Sequence, residues 1–244
     1  MQRLIARRAA MLVLMAVPLF ASDSQINTYL ALGDSIAFGY DPTLVVPNQP
    51  LPTPDKFTGY PEVVAAIEKV QKEINAACPG QSSASFLNEK EIDIGCEGFK
   101  YSIGLHTQYD GSQNAFAISQ LRTNSNIELV TLSIGGNDLA LLQVRCAATS
   151  TKPKQFNTCV AVGLPGVLTV YAGNLTQILF NIRANYSGRL IIVNNYVPNA
   201  DPTFVTAITA LNSVAAAVST PFGAKVADAF TAFQLASILY KGDP

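Results

Sequence analysis

Two stretches of this sequence run from an apolar segment directly into a glycine turn. "TYLALGDS" ends in Gly33-Asp34-Ser35, and "IELVTLSIGGND" ends in residues 135–138. Apolar runs of this length, bounded by turn residues, are typical of strands that are buried on both faces of a parallel sheet. Segments with helical spacing separate such runs along the chain, so the sequence predicts an α/β fold with helices on both faces of the sheet.

The remaining elements follow the same alternation. The spacing of apolar residues predicts helices over residues 60–74, 113–122, 167–188 and 204–220, the third ending at a possible left-handed cap, Gly188. It predicts strands over residues 189–199 and 224–230, and a weaker strand over residues 74–78. A length of 244 residues suits a single domain of this class.

The N-terminal segment has the features of a secretory signal peptide. Arg3, Arg7 and Arg8 precede the apolar run of residues 9–21, after which the polar "SDSQ" begins. This pattern predicts a signal peptide over residues 1–21 and a mature domain over residues 22–244 that is secreted or periplasmic. An uncleaved membrane anchor is the alternative, because the cleavage site lacks a clean A-x-A. No later segment offers about 20 uninterrupted apolar residues, so no stable transmembrane segment is expected in the mature chain.

The cysteines are interpreted in the light of export. Cys78, Cys96, Cys146 and Cys159 form an even set in a chain destined for an oxidising compartment. The short gaps favour the pairs Cys78–Cys96 and Cys146–Cys159 among three possible pairings, and four buried free thiols are the alternative. The net charge of −1 excludes a basic nucleic-acid-binding surface. The sequence has no zinc-type spacing, phosphate loop or dinucleotide fingerprint, so no metal or cofactor is expected.

The two glycine turns carry residues that acyl transfer needs. Ser35 can act as a nucleophile, and an amide such as that of Asn137 can donate to a developing oxyanion. Gly80, in "ACPGQSSASFLN", can contribute a backbone N–H. Each residue also has a simpler explanation, since Ser and Asp form turns and Asn caps helices. The turn lacks the last glycine of G-x-S-x-G, so it is not the α/β-hydrolase signature.

Three blocks in order, "LALGDSIAFGY", "ACPGQSSASFLN" and "VTLSIGGND", resemble the first three sequence blocks of the GDSL family, the SGNH hydrolases. The resemblance extends from about residue 28 to about residue 233. It implies a three-layer α/β/α fold resembling flavodoxin and the hydrolysis of a small-molecule or lipid ester. It also implies that Ser35 is the nucleophile, that the N–H groups of Ser35 and Gly80 and the amide of Asn137 form the oxyanion hole, and that no metal takes part.

The sequence departs from this family near its end. The family's fourth block, Asp-x-x-His, carries the acid and the base, but here Asp243 has no histidine after it. The resemblance therefore implies a domain that is C-terminally incomplete, without this block and without the family's final helix. The single histidine, His106, is interpreted as a packed structural residue rather than a base. We expect a secreted serine esterase that is weakly active or inactive; a non-catalytic domain that binds an acyl or glycan ligand is the alternative.

Overall fold

A computed structural model describes residues 25–196 and 202–239, which form one parallel sheet and the helices around it. The predicted signal peptide and Asp243 lie outside the described residues. The sheet has five strands in the order β2-β1-β3-β4-β5, and every neighbouring pair is parallel. The strands are β1 (Thr28–Gly33), β2 (Lys72–Asn75), β3 (Ile127–Ser133), β4 (Arg189–Val193) and β5 (Lys225–Ala227).

Helices connect these strands, as parallel neighbours require. Short 3-10 turns lie at Pro42–Leu44, Pro54–Lys56 and Thr220–Phe222. The α-helices of the described residues are α1 (Ser35–Phe38), α2 (Tyr60–Ile67), α3 (Ser83–Leu87), α4 (Cys96–Ser102), α5 (Gln113–Thr123), α6 (Gly136–Thr149), α7 (Pro153–Arg183), α8 (Pro202–Ser219) and α9 (Ala229–Leu239).

The sheet separates two apolar layers, which confirms the predicted α/β/α fold. On one face, Leu30 and Leu32 of β1 join the central strands in a core shared with α5, α7 and α8. On the other face, Tyr29 and Ala31 pack with Ile26 in a smaller cluster covered by α2. All six residues of β1 are buried, because this strand has helices on both sides.

The helix predicted over residues 60–74 is wrong in its second half. α2 ends at Ile67, and Lys69 adopts a left-handed conformation, with φ of 50°, that turns the chain away from the helix. Ile74 instead lies in β2, where it is buried in the main core. The apolar residues thus keep helical spacing across the turn only by coincidence. The weaker prediction of a strand over residues 74–78 was correct in its type of structure, although β2 lies slightly earlier.

The long helix α7, predicted over residues 167–188, also differs from its predicted bounds. It begins at Pro153 and continues through Pro165, although a proline inside a helix removes one backbone hydrogen bond. Val160 packs against α6, which holds the segment that precedes the proline in place. The helix ends at Arg183 rather than at Gly188. The Arg183 guanidinium donates to the carbonyl of Gly188 at 2.8 Å, which ties down the turn into β4.

Two disulfides join elements that surround the sheet. Cys78 is joined to Cys96 and Cys146 to Cys159, the pairing that the short sequence gaps favoured. The first links the segment after β2 to the start of α4, and the second links α6 to α7. The described part of the chain has no free cysteine.

Two helical stretches, Pro153–Arg183 and Pro202–Phe222, are long and apolar enough to cross a membrane by length and composition alone. Both nevertheless belong to the folded domain. Tyr171 and Leu175 of the first stretch and Leu211 of the second are fully buried in the core beneath the sheet. Their composition is therefore weak evidence for a membrane span.

A helix, α9, follows the last strand at once, with Asp228 at its start. The Asp228 carboxylate accepts hydrogen bonds from the Thr231 N–H at 3.1 Å and from the Asn194 amide at 2.9 Å. No Asp-x-x-His block precedes this helix in the described residues. All three residues of β5 are exposed, so α8 and α9 leave this edge of the sheet largely open.

Candidate active site

The strand order places the candidate site between β1 and β3. The chain leaves β1 toward β2 on one side and reaches β3 on the other, so the connections after β1 and β3 depart in opposite directions. Ligands of open parallel sheets bind at such a point, beyond the carboxyl ends of the strands. Ser35 follows β1 and Asn137 follows β3, so both predicted residues lie at this edge.

The end of β1 presents Ser35 at the first position of α1. Gly33 has a φ of 139°, and a Cβ there would lie 2.1 Å from the Ser133 carbonyl oxygen, so only glycine fits. The Asp34 N–H donates to that same carbonyl at 3.1 Å, and the Asp34 carboxylate caps α1 by accepting from the Ile36 N–H at 3.0 Å. The turn is thereby held rigidly from both sides.

Ser35 itself is left available for chemistry. Its side chain is partly exposed, and its carbonyl accepts from the N–H groups of Gly39 and Tyr40. Neither its hydroxyl nor its N–H makes a hydrogen bond to another described residue. An unpaired hydroxyl beside an unpaired N–H is the arrangement that a nucleophile with an oxyanion hole requires.

Gly80 lies beside this turn because the segment after β2 is tied to β1. The Cys78 N–H donates to the Gly33 carbonyl at 3.0 Å. Gly80 has a φ of 88°, and a Cβ there would approach the Ile94 carbonyl oxygen to 2.5 Å. The Gly80 carbonyl accepts from the Ile94 N–H at 2.9 Å, whereas its own N–H has no partner among the described residues.

Asn137 joins the same edge through its side chain. Its Nδ2 donates to the Gln81 carbonyl at 2.9 Å, one residue from Gly80. An amide nitrogen carries two hydrogens, so one N–H remains for a ligand. The structure thus brings Ser35, Gly80 and Asn137 to one edge of the sheet. There the backbone N–H groups of Ser35 and Gly80 have no partner in the described part of the chain, and the Asn137 amide has one N–H left to donate.

Gln113, which the sequence analysis did not identify, stabilises this edge of the sheet through hydrogen bonds. Gln113, the first residue of α5, is buried, and its side-chain amide pairs with the backbone of Gly33 in both directions. The same Nε2 donates to Gln81 Oε1 at 2.9 Å. One side chain therefore connects the end of β1 with the segment that contacts Asn137. The only signal in the sequence was its position at the start of a predicted helix.

Two carboxyl groups lie buried beneath the site. The pKa of Asp34 is raised to about 7, chiefly by burial and in part by the nearby Asp138 carboxyl, against the opposing effect of the hydrogen bond from the Ile36 N–H. Burial also raises the pKa of Asp138, which is opposed by hydrogen bonds from the N–H and hydroxyl of Ser83 at 2.9 and 2.5 Å. Asn174 Nδ2 donates to that same hydroxyl at 2.9 Å. These contacts fix α3 and α6 relative to each other directly behind Asn137.

His106 is engaged away from Ser35. Its Nε2 lies 3.0 Å from the Phe38 carbonyl oxygen and 3.7 Å from Glu62 Oε1, and its ring packs against the Phe38 ring at 4.5 Å. The histidine thus supports the far end of α1. In residues 25–196 and 202–239, no three His, Cys, Asp or Glu side chains form a group that can hold a metal ion.

The family is decided by a match along most of the chain. The profile of the GDSL-like lipase/acylhydrolase family matches residues 31–242. The chain belongs to this family. No curated protein matches the sequence significantly.

Solved structures share the fold of this GDSL-like protein. Phospholipase A1 from Streptomyces albidoflavus NA297 is similar with a TM-score of 0.61 at 21% identity, over 89% of this chain and 86% of that one. An extracellular lipase from Streptomyces rimosus has a TM-score of 0.56 at 16% identity, over 85% and 82%. An acetylxylan esterase from Geobacillus stearothermophilus, a catalytic mutant, has a TM-score of 0.51 at 15% identity, over 89% and 82%.

Proposed function

We propose that this GDSL-like protein is an exported serine ester hydrolase in which Ser35 attacks the ester carbonyl. Membership of the lipase/acylhydrolase family supports hydrolysis of esters in general. The observation that carries the finer assignment is that, among the described residues, the Ser35 hydroxyl and the N–H groups of Ser35 and Gly80 have no hydrogen-bond partner, on two segments joined by the bond from the Cys78 N–H to the Gly33 carbonyl. Two disulfides and the leader-like residues 1–21 support export.

In the proposed reaction, the Ser35 hydroxyl oxygen adds to the carbonyl carbon of the ester. The carbonyl oxygen becomes an oxyanion and accepts from the N–H groups of Ser35 and Gly80 and from the free N–H of Asn137. Collapse of this intermediate breaks the ester C–O bond, and the leaving alkoxide departs as the alcohol with the proton that Ser35 gives up through solvent. Water then attacks the acyl group on Ser35, which releases the carboxylic acid and restores the Ser35 hydroxyl. Gln113 and Asp34 act as positioning residues, because they hold the backbone that carries these donors.

The proton of Ser35 has no acceptor among the described residues. His106 is bonded to the Phe38 carbonyl at the opposite end of α1. Without a base, a serine hydroxyl remains protonated at neutral pH, and only the oxyanion hole and substrate binding contribute. In serine proteases these retain about 10³–10⁴-fold catalysis over water. We therefore expect low turnover, and binding without hydrolysis is the second candidate function, favoured by this same engagement of His106.

The test compares p-nitrophenyl acetate turnover by four proteins: the chain as given, Ser35→Ala, His106→Gln and the chain extended by an Asp-x-x-His segment. We expect low turnover by the first and third proteins, none by the second and a large gain for the fourth. A serine-directed phosphonate should label Ser35 rapidly in the extended chain and only slowly in the other proteins that retain Ser35. Strong turnover by the given chain that is lost in His106→Gln would make His106 the base and overturn this mechanism. Absence of labelling in the extended chain would remove Ser35 as nucleophile and leave the binding function.

A further inference from the structure

The C-terminal end of α1, the short helix that begins with Ser35, is held by side chains from other elements. The Ala37 carbonyl oxygen accepts from Asn75 Nδ2 at 3.0 Å, and the Phe38 carbonyl oxygen lies 3.0 Å from His106 Nε2. Both helical residues are fully buried, so their carbonyls need partners within the protein. A helix of four residues is too short to be stable by itself, so α1 depends on these contacts.

One carboxylate orients both donors. Glu62 Oε1 accepts from Asn75 Nδ2 at 2.8 Å and lies 3.7 Å from His106 Nε2. Glu62 Oε2 accepts from the Gly59 N–H at 2.7 Å, which fixes the carboxylate on α2. Asn75 Nδ2 therefore uses both of its hydrogens, one on Glu62 and one on Ala37. A displacement of Glu62 would disturb both of the side chains that hold the end of α1.

A second carboxyl group, on β2, completes the arrangement. Glu73 Oε1 is buried and receives no hydrogen from another described residue. The Glu73 carboxyl forms a hydrogen bond with that of Glu62, and two carboxyl groups share such a bond only when one of them carries a proton. Four side chains, called the α1 clamp here, thus act together: Glu62, Glu73, Asn75 and His106.

The proton between the carboxyl groups is lost near neutral pH. Burial, together with the nearby Glu62 carboxylate, raises the pKa of Glu73 to about 7. Two tyrosines also face the carboxyl pair, Tyr29 of β1 and Tyr60 of α2, and burial raises the pKa of both, so they stay neutral in this range. His106 faces Glu62 from the segment before α5. Above about pH 7 the pair therefore becomes two adjacent carboxylates, which repel each other.

We propose that the α1 clamp makes the placement of Ser35 depend on this shared proton. With the proton present, Glu62 keeps Asn75 and His106 on the two carbonyls of α1. When Glu73 ionises, repulsion displaces Glu62, both donors loosen and α1 opens more often. The inference rests on the proposed function, because Ser35 stands at the first position of α1. The members of the clamp are positioning residues, since they act on Ser35 only through α1.

Hydrogen exchange measures the clamp without any need for activity. The N–H groups of Gly39 and Tyr40 donate to the Ser35 carbonyl, so their protection factors report the opening of α1. Glu73→Gln supplies an amide that donates at every pH. The closed clamp holds the proton of Glu73 more tightly than the open one, so its stabilisation is lost as the pH rises through about 7. We expect the ratio of protection in E73Q to that in wild type to rise at least about fivefold between about pH 5.5 and about pH 8.5.

Two controls separate this effect from others. Glu68→Gln removes an exposed carboxylate at the end of α2, and its protection should match wild type throughout. The Phe116 N–H, which donates to Ser112 in α5, should be equally protected in all variants, because the effect is local to α1. Asp34 titrates in the same range but is present in every protein, so the ratio removes its contribution. A ratio that stays constant with pH, or one that changes equally at Phe116, would overturn the proposal.

Variants of the histidine test the other contact of the clamp. His106→Gln keeps a side-chain N–H for the Phe38 carbonyl, whereas His106→Leu removes the donor. We expect H106L to lower the protection of Gly39 and Tyr40 by about tenfold, because a buried carbonyl loses its partner, and H106Q to retain most of the protection. Equal losses in H106L and H106Q would exclude His106 as a positioning residue.

The link to the proposed reaction is the rate at which a p-nitrophenyl phosphonate labels Ser35. We expect the labelling rate of E73Q relative to wild type to rise with pH in step with the exchange ratio. Exchange that depends on Glu73, without any labelling of Ser35, would refute the proposed function and leave the α1 clamp. Labelling of Ser35 with an exchange ratio that is constant with pH would refute the clamp and leave the proposed function.

Discussion

The side-chain amide of Gln113 pairs with both backbone groups of Gly33, a residue eighty positions earlier in the chain. The Gly33 N–H donates to Gln113 Oε1 at 2.6 Å, and Gln113 Nε2 donates to the Gly33 carbonyl at 2.9 Å. Gly33 is the last residue of β1 and stands two positions before Ser35. An amide side chain thus continues the sheet's hydrogen bonding at the point where the proposed nucleophile is presented.

We expect Gln113→Glu to lower the free energy of unfolding by about 1–3 kcal/mol at pH 7, because a carboxylate cannot donate to the Gly33 carbonyl or to Gln81. Urea unfolding measures this change. Gln120→Glu, on the same helix, is the control and should change stability little. A Q113E variant with unchanged stability and an unchanged rate of Ser35 labelling would show that the brace is dispensable.

We expect Asn137→Ala to reduce the rate of Ser35 phosphonylation by about 10²–10³-fold, as removal of an oxyanion-hole amide does in other acyl-transfer enzymes. Stability should fall only slightly, since the lost contact is one hydrogen bond to the Gln81 carbonyl. Asn181→Ala removes an amide bonded to Asn114 and serves as the control, with labelling unchanged. Equal labelling rates for wild type and N137A would remove Asn137 from the oxyanion hole.

The buried carboxyl of Asp34 should lower the free energy of unfolding as the pH rises. A paired surface carboxylate has the opposite effect. Burial raises the pKa of Asp34 to about 7 in the folded protein, compared with about 3.9 in an unfolded chain. Between these values the folded state holds the proton more tightly. The contribution of Asp34 to stability is therefore complete below about pH 4 and is lost as the pH rises through about 7.

Asp34→Asn removes this titration, so its free energy of unfolding relative to wild type should rise between pH 4.5 and pH 8. The substitution also supplies a permanent donor near Asn195 Oδ1, which is buried and has no partner among the described residues. A Cβ on Gly136 would lie 2.9 Å from this oxygen and 4.0 Å from Asp34 Oδ2, so both groups face the same point. Burial raises the pKa of Glu73 to about 7 as well, so D34N should retain the part of the pH dependence of stability that comes from Glu73. Parallel pH profiles for wild type and D34N would contradict the prediction.

The two disulfides should each stabilise the domain by about 3 kcal/mol, the magnitude expected for closed loops of this size. We expect the double variant Cys146→Ala/Cys159→Ala to lower stability while leaving Ser35 labelling unchanged, since that bridge joins α6 to α7. The double variant Cys78→Ala/Cys96→Ala should lower both, because that bridge ties to α4 the segment that carries Gly80 and bonds to Gly33 beside the site. Thermal unfolding and rates of Ser35 labelling distinguish the two double variants. Equal effects of both variants on labelling would contradict the prediction.

The open edge at β5 should favour self-association. Val226 is 39% exposed on this strand, and Phe233 and Leu235 of α9 are 38% and 57% exposed. An unpaired edge strand with apolar side chains is a site for association between copies. We expect Val226→Lys to increase the monomer fraction in sedimentation experiments, whereas Lys72→Glu, on the opposite edge strand, should not. A protein that is already monomeric at high concentration would refute this prediction.

The sequence by itself determined the class of the fold and the order of the functional segments. Apolar runs that end in glycine turns are local patterns, and they located β1 and β3, with Ser35 and Asn137 just after their ends, because backbone preferences act within a few residues. The short gaps between cysteines favoured both disulfides for a different reason, since closing a short loop costs little chain entropy.

Only the tertiary structure decided which distant groups meet. The pairing of Gln113 with Gly33, the attachment of His106 to Phe38 and the contact of Asn174 with Ser83 all join segments far apart in the chain, and local periodicity carries no information about them. The boundary between α2 and β2 was missed for a related reason: Ile74 fits a helical spacing, but its burial beside β1 stabilises a strand. Long-range packing outweighs intrinsic propensity wherever the two disagree.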